Sequence, residues 1–140
     1  MKIKLGIKYG LNKRSKINFI FEVYRNRISK QAEKKQNKIF CIGFGKTGTT
    51  SLEHALRNFG YRMGNQPVAE VLAEDWASKR VDRIIRYCYT ADAFQDSPFS
   101  KPGLYKELDK AFPHSKFILT IRDNPDQWYN SLINFHSKRF

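Results

Sequence analysis

The chain is short of acid. Of its 140 residues, 13 are Asp or Glu against 26 Lys or Arg, a net charge of +13. It has only two cysteines, Cys41 and Cys88, and their placement forms no disulfide or metal-ligand pattern. They are expected to be buried thiols, Cys41 in a core strand and Cys88 at a helix end. No apolar run approaches the ~18 residues a membrane span needs. The best N-terminal stretch, Ile17 to Val23, is broken by Asn18 and Glu22. It is too short and too polar for a signal-peptide core, and no small-residue cleavage site follows it. These absences lead us to expect a cytoplasmic protein. No internal repeat is present, and no low-complexity tract beyond a basic bias.

What is present suggests one small domain. With 41% hydrophobic and 14% aromatic residues the chain can build a core. The basic excess is concentrated at one end. Residues 1–38 carry 12 basic and 2 acidic side chains, a net of +10, while residues 39–140 carry 14 and 11, a net of +3. Residues 1–37 therefore read as a basic leader, which can bind nucleic acid, rest on an anionic surface or stay solvated. Ile17, Ile20, Phe21, Tyr24 and Ile28 fall at spacings of three and four, the signature of one amphipathic helix around 16–35. The leader lacks the basic and aromatic interleaving of a nucleic-acid surface, so no specific nucleic-acid partner is expected.

From residue 38 onward strand and helix patterns alternate. Residues 38–43 are a short strand that is apolar on both faces, as in a buried parallel sheet. A helix runs from Thr49 to about Phe59, with Leu52, Ala55, Leu56 and Phe59 inward and Gly60 as its stop. Pro67 opens a further helix with Val68, Val71, Leu72 and Trp76 on one face. After a break near Ser78, Val81, Ile84, Ile85 and Cys88 continue the pattern. Tyr89 to Phe94 is a weaker strand. Leu104 to Phe112 is a short helix closed by Pro113. Lys116 to Ile121 is the second clear strand, and Pro125 opens the last helix. This order predicts a three-layer α/β domain with a parallel sheet over 38–140. Ligands of such folds bind beyond the C-terminal ends of the strands, here the loops at 43–50, 92–98 and 122–125.

The first of those loops carries the chemistry. Gly43 and Gly48 have the glycine spacing of a phosphate-binding loop, but Lys46 precedes Gly48 where an ATP or GTP site needs Lys and Ser or Thr after it. The glycines still let backbone N–H groups converge on an anion at a helix start. Thr47, Thr49, Thr50 and Ser51 add hydroxyls, and Lys46 adds a full charge. A ligand-free βα turn and a kinase-like NTPase are the alternative readings. No strand ends in the acidic pair an NTPase uses, so no metal is expected.

Residues 40–52, FCIGFGKTGTTSL, resemble the 5′-phosphosulfate loop of sulfotransferases, which use 3′-phosphoadenosine 5′-phosphosulfate (PAPS) as sulfuryl donor. That family has a second mark, an apolar strand ending in Arg with a Ser further on, which together hold the donor's 3′-phosphate. Residues 117–123, FILTIRD, and 128–131, WYNS, are similar. Together the two motifs cover about residues 38–136. The resemblance implies a sheet of the P-loop nucleoside-triphosphate-hydrolase type. It implies PAPS as co-substrate, a donor site of Gly45, Lys46, Thr47, Gly48, Thr49, Thr50, Ser51, Arg122 and Ser131, and Lys46 as the charge on the bridging oxygen. A His or carboxylate after the second strand would be the base, which selects Asp96, then Asp92. The acceptor would be a small molecule or a carbohydrate bearing a hydroxyl or amine. The sequence departs from the pattern twice. Arg122 and Ser131 are nine residues apart rather than eight, and family members are longer, with a C-terminal segment over the donor. An incomplete domain is therefore expected, either active or a donor-binding fragment.

Overall fold

Side-chain alternation along three short strands decides the layering. In the computed structural model, which describes residues 37–138, β1 (Ile39–Cys41), β2 (Ala93–Gln95) and β3 (Lys116–Ile118) pair in parallel with β1 in the centre. Register sets Phe40 beside Phe94 and Phe117, and Cys41 beside Gln95 and Ile118. Successive residues point to opposite faces, so each face acquires its own apolar cluster.

Six helices follow in the order α1 (Thr49–Asn58), α2 (Gln66–Val71), α3 (Ala73–Ala77), α4 (Val81–Cys88), α5 (Leu104–Ala111) and α6 (Pro125–Ser137). Helices α2 to α5 supply Val68, Leu72, Ile84, Tyr87, Leu104 and Leu108 to the Phe40 face. Leu52 and Leu56 of α1 cover the Cys41 face with Ala93, Met63 and Ile118. The result is the expected α/β fold with helices on both sides of a parallel sheet. Phe40 is fully buried at its middle, with the rings of Phe94, Phe99, Phe112 and Phe117 at centroid distances of 5.7, 5.8, 5.9 and 5.5 Å. Such ring spacings add to the area buried.

Local chemistry sets the element ends. Asn65 caps α2 by accepting the Val68 N–H, and Pro67 sits in its first turn. Buried Asp75 accepts from Arg80 and Arg83 at 2.8 and 3.0 Å, which fixes the corner between α3 and α4. Gly60, at φ 85°, follows α1 as its left-handed stop.

Four expectations are corrected. Phe59 is 78% exposed, because it is the C-cap of α1 and no described element covers that end. The helix from Pro67 to Trp76 is divided at Leu72. The second strand starts at Ala93 rather than Tyr89, since Tyr89 caps α4 and Thr90 closes the turn back to Tyr87 O. The apolar positions that the sequence offers in the last helix, Trp128, Leu132, Ile133 and Phe135, do not make a core face, because no residue of α6 is buried. The helix expected at 16–35 lies outside the described residues. Among the described residues no helix is long and apolar enough to cross a membrane.

Both cysteines are buried free thiols. Burial pushes the Cys41 thiol up to about 11. It pushes Cys88 up as well, against the lowering effect of Lys38. A raised folded pKa favours the protonated thiol, so stability is expected to fall as pH rises above the ordinary thiol value of about 8.5. Denaturant midpoints between pH 7.5 and 10 check this. In the same assay at pH 7, Phe40→Ala is expected to cost about 3–5 kcal/mol.

Candidate functional site

The glycine loop leaves β1 toward β3 under a tight steric limit. Ile42 N–H donates to Ile118 O, so the ladder runs one residue past β1. Gly43 then lies so close to the β3 continuation that a Cβ on it would sit 2.1 Å from Thr120 Oγ1 and 2.6 Å from Thr120 O. Only glycine fits. The contact lets the Thr47 and Thr120 hydroxyls meet at 2.8 Å, and Thr47 Oγ1 also donates to Phe44 O at 2.5 Å. With its own N–H on Phe44 O, Thr47 directs both donors into the loop and acts to shape it.

At the far end of the loop Gly48 has φ 97° and is the N-cap of α1. It gives α1 no side-chain cap, and the first turn holds no acid. The Thr49 side of that turn is buried, while Thr50 and Ser51 are exposed. An uncapped helix start presents N–H groups and the positive end of the dipole, the arrangement that suits an anion.

The other predicted anchor closes onto the same loop. Arg122 Nε donates to Lys46 O at 2.7 Å, and Arg122 Nη2 donates to Ser131 Oγ at 3.3 Å. Arg122 thus turns inward rather than pairing with its neighbours Asp123 or Asp126. Ser131, and not exposed Asn130, faces it. The Lys46 ammonium lies 3.0 Å above the centroid of the Phe135 ring in α6.

Trp128, the first residue of the WYNS motif and in sequence either a ring to stack on adenine or a core residue, joins this assembly through a hydrogen bond instead. It is half-buried, and its indole N–H donates to Gly45 O at 3.0 Å. A planar trans peptide directs the Lys46 N–H to the opposite side, away from Trp128. Its ring faces could be weighed from sequence, but the partner of its N–H depends on where the fold brings the glycine loop.

Asp96 reaches the loop from β2. Its backbone has φ 56°, its Oδ1 accepts the Ser97 N–H at 2.9 Å, and a side chain on Gly45 would meet its carboxylate oxygens at 3.6 and 3.8 Å. Lys46 is also left-handed, at φ 70°. Such conformations cost on the order of 1–3 kcal/mol for residues with a Cβ, and they gather at functional sites. Asp92, the other candidate base, is excluded from the rim. It lies before β2, is buried, and is bonded to the Arg62 backbone and guanidinium at 3.2 Å. His54 is exposed on α1, and His114 is exposed in a turn.

The model of a family described as a sulfotransferase domain matches residues 38–139. None of the curated proteins compared matches the chain. The chain belongs to the sulfotransferase-domain family, since the match spans most of its length.

The steric limit at Gly43 is directly testable. Gly43→Ala must displace backbone as well as the Thr120 side chain, and the expected destabilisation is about 1–3 kcal/mol. Thermal or denaturant melting checks it, and a variant as stable as the parent would show that the loop does not press on Thr120.

Proposed function

We propose that this chain, as a member of the sulfotransferase-domain family, binds PAPS and transfers the sulfuryl group to a hydroxyl or amine of a small-molecule or carbohydrate acceptor. Residues 38–140 are the donor-binding unit in this reading, and residues 1–37 are a separate basic leader. The observation that carries it is the Arg122 bridge, which joins the glycine loop at Lys46 O to Ser131 Oγ. The donor has two anionic ends, and the bridge joins the two elements that this reading assigns to them. The phosphosulfate end suits the start of α1, with Lys46, Gly48, Thr49, Thr50 and Ser51 around it. The 3′-phosphate suits Arg122 and Ser131, because a guanidinium offers several N–H groups to phosphate oxygens.

Each group then has a task. The bond that breaks lies between sulfur and the oxygen bridging to phosphate, so negative charge grows on the leaving phosphate. Lys46 and the loop N–H groups stabilise that charge as it develops. Asp96 stands beside Gly45 and takes the proton of the acceptor. Thr47 and Trp128 hold the loop in shape.

Calorimetry with adenosine 3′,5′-bisphosphate tests the donor site without an acceptor. The parent chain is expected to bind it without magnesium. Lys46→Ala and Arg122→Ala should each weaken binding by about 1.5 kcal/mol or more, the scale of a hydrogen bond to a charged group. Asp96→Asn should leave binding intact. A parent chain that fails to bind, or that binds only ATP or GTP with magnesium, would overturn the reading.

A further inference from the structure

The two flanks of the rim differ in character. Phe44, Leu119 and Ile121 are exposed on the β3 flank, where they border the groove beside Arg122. The β2 flank is polar. Gln95 ends β2, Asp96 follows it at φ 56°, and Gln66 Nε2 donates to Ser97 O at 3.2 Å. Glu53 of α1 reaches the same place, with its side chain 26% exposed.

Gln95 stands out there. It is 7% exposed, and its Nε2 donates to Glu53 Oε2 at 2.7 Å. Among the described residues, its Oε1 is the one buried side-chain polar atom without a hydrogen-bond partner. The amide cannot turn over, because that would set its oxygen against the Glu53 carboxylate. Glu53 is held in turn by Arg57, whose Nε and Nη2 donate to Glu53 Oε1 at 3.0 and 2.7 Å. Arg57 and Glu53 therefore fix which end of the Gln95 amide is spent and leave its oxygen open for a partner. A buried carbonyl oxygen left unpaired is destabilising, and native folds keep few of them.

We propose that Gln95 Oε1 is the specificity-determining contact for the acceptor, which it recognises by a second hydrogen-bond donor beside the reacting hydroxyl. The acceptor class is then a polyol, such as a sugar, rather than a phenol or a simple alcohol. The inference rests on the sulfotransferase reading above, in which Asp96 takes the proton of the acceptor. Side chains of consecutive strand residues point to opposite faces, but the left-handed backbone of Asp96 breaks that alternation. Asp96 stands beside Gly45, and Gln95 is bonded to Glu53, one turn into α1. Both thus flank the β2 side of the α1 start, which is the phosphosulfate end in that reading. The Gln95 amide lies one hydrogen bond beneath the partly exposed Glu53, so a ligand at the rim meets it after a small shift of that side chain.

The reaction step is unchanged. The new bond joins sulfur to the acceptor oxygen, the bond from sulfur to the bridging oxygen breaks, and the proton goes to Asp96. Selectivity comes from the neighbouring hydroxyl. A polyol pairs with Oε1, whereas an acceptor with one hydroxyl leaves that oxygen unpaired through the transition state. Sites built to hydrogen-bond a substrate group reject analogues that lack it far more strongly than apolar pockets reject a missing methylene.

The test uses the full chain with cyclohexane-1,2-diol and cyclohexanol, which share a ring and differ by one hydroxyl. With PAPS as donor, kcat/KM for the diol is expected to exceed that for cyclohexanol by about tenfold or more. Gln95→Met keeps the length of the side chain and removes the amide, and the ratio should fall to within about threefold. The comparison of the two alcohols in the parent stands even where the variant does not fold. A ratio near one in the parent overturns the proposal, as when an ordered water already satisfies Oε1. So does a variant that keeps the parent's ratio. Calorimetry with adenosine 3′,5′-bisphosphate separates this inference from the reading beneath it. A parent that fails to bind the bisphosphate overturns the sulfotransferase reading itself. A parent that binds it but transfers to neither alcohol, or prefers cyclohexanol, overturns only the polyol assignment.

Discussion

The approach of Gly43 to Thr120 is the constraint on which the rest of the site depends. β1 and β3 are held at ladder distance by the sheet, and the loop leaving β1 must pass over the end of β3. Because residue 43 has no Cβ, the loop passes close enough for Thr47 and Thr120 to share a hydrogen bond. Arg122, two residues on, then arrives within reach of Lys46 O. A loop held further off would leave Arg122 without that carbonyl. The anchoring of Ser131 would then be lost from the loop as well.

The core and the proposed donor site are divided between the two ends of the sheet. The body is an aromatic core around Phe40, closed by α2 to α5 and tied at its corners by Asp75. The rim is lightly packed. α6 has no buried residue, and it is held chiefly by polar and ring contacts to the loop. Regions with few buried apolar contacts open at low free energy. The rim is thus the part of the molecule best able to move were the proposed donor to bind. Lys46, whose ammonium is above Phe135, and Arg122 are the side chains that such a movement would redirect.

Much of this was legible in the residues, and the failures share one cause. The parallel α/β fold and the glycine loop could be read because periodicity and spacing are local properties, and the Arg–Ser pair was read from the family resemblance. Whether a residue is covered depends on partners distant in sequence. Phe59 matches the apolar stripe of α1 yet is exposed. Asp92 and Asp96 were rival bases four residues apart, and the sheet register separates them. β2 starts at Ala93 and ends at Gln95, so one carboxylate lies at its N-terminal end beside Arg62 and the other at its C-terminal end beside Gly45.

The same reasoning explains the nine-residue interval from Arg122 to Ser131. The helix does not begin at Arg122. It begins after the Asn124 cap, which accepts the Gln127 N–H, and that cap sets the phase of α6. At about 100° per residue, positions 128, 131 and 135 fall within roughly 60° of one another. Those positions hold Trp128, Ser131 and Phe135, which touch Gly45 O, Arg122 and Lys46. Asn130 is rotated about 100° from Ser131 and faces solvent. The count that matters is therefore from the cap, and an extra residue before the helix is absorbed in the turn. It follows that α6 spends its inward stripe on the loop rather than on the core, which is why a helix rich in apolar residues buries none of them.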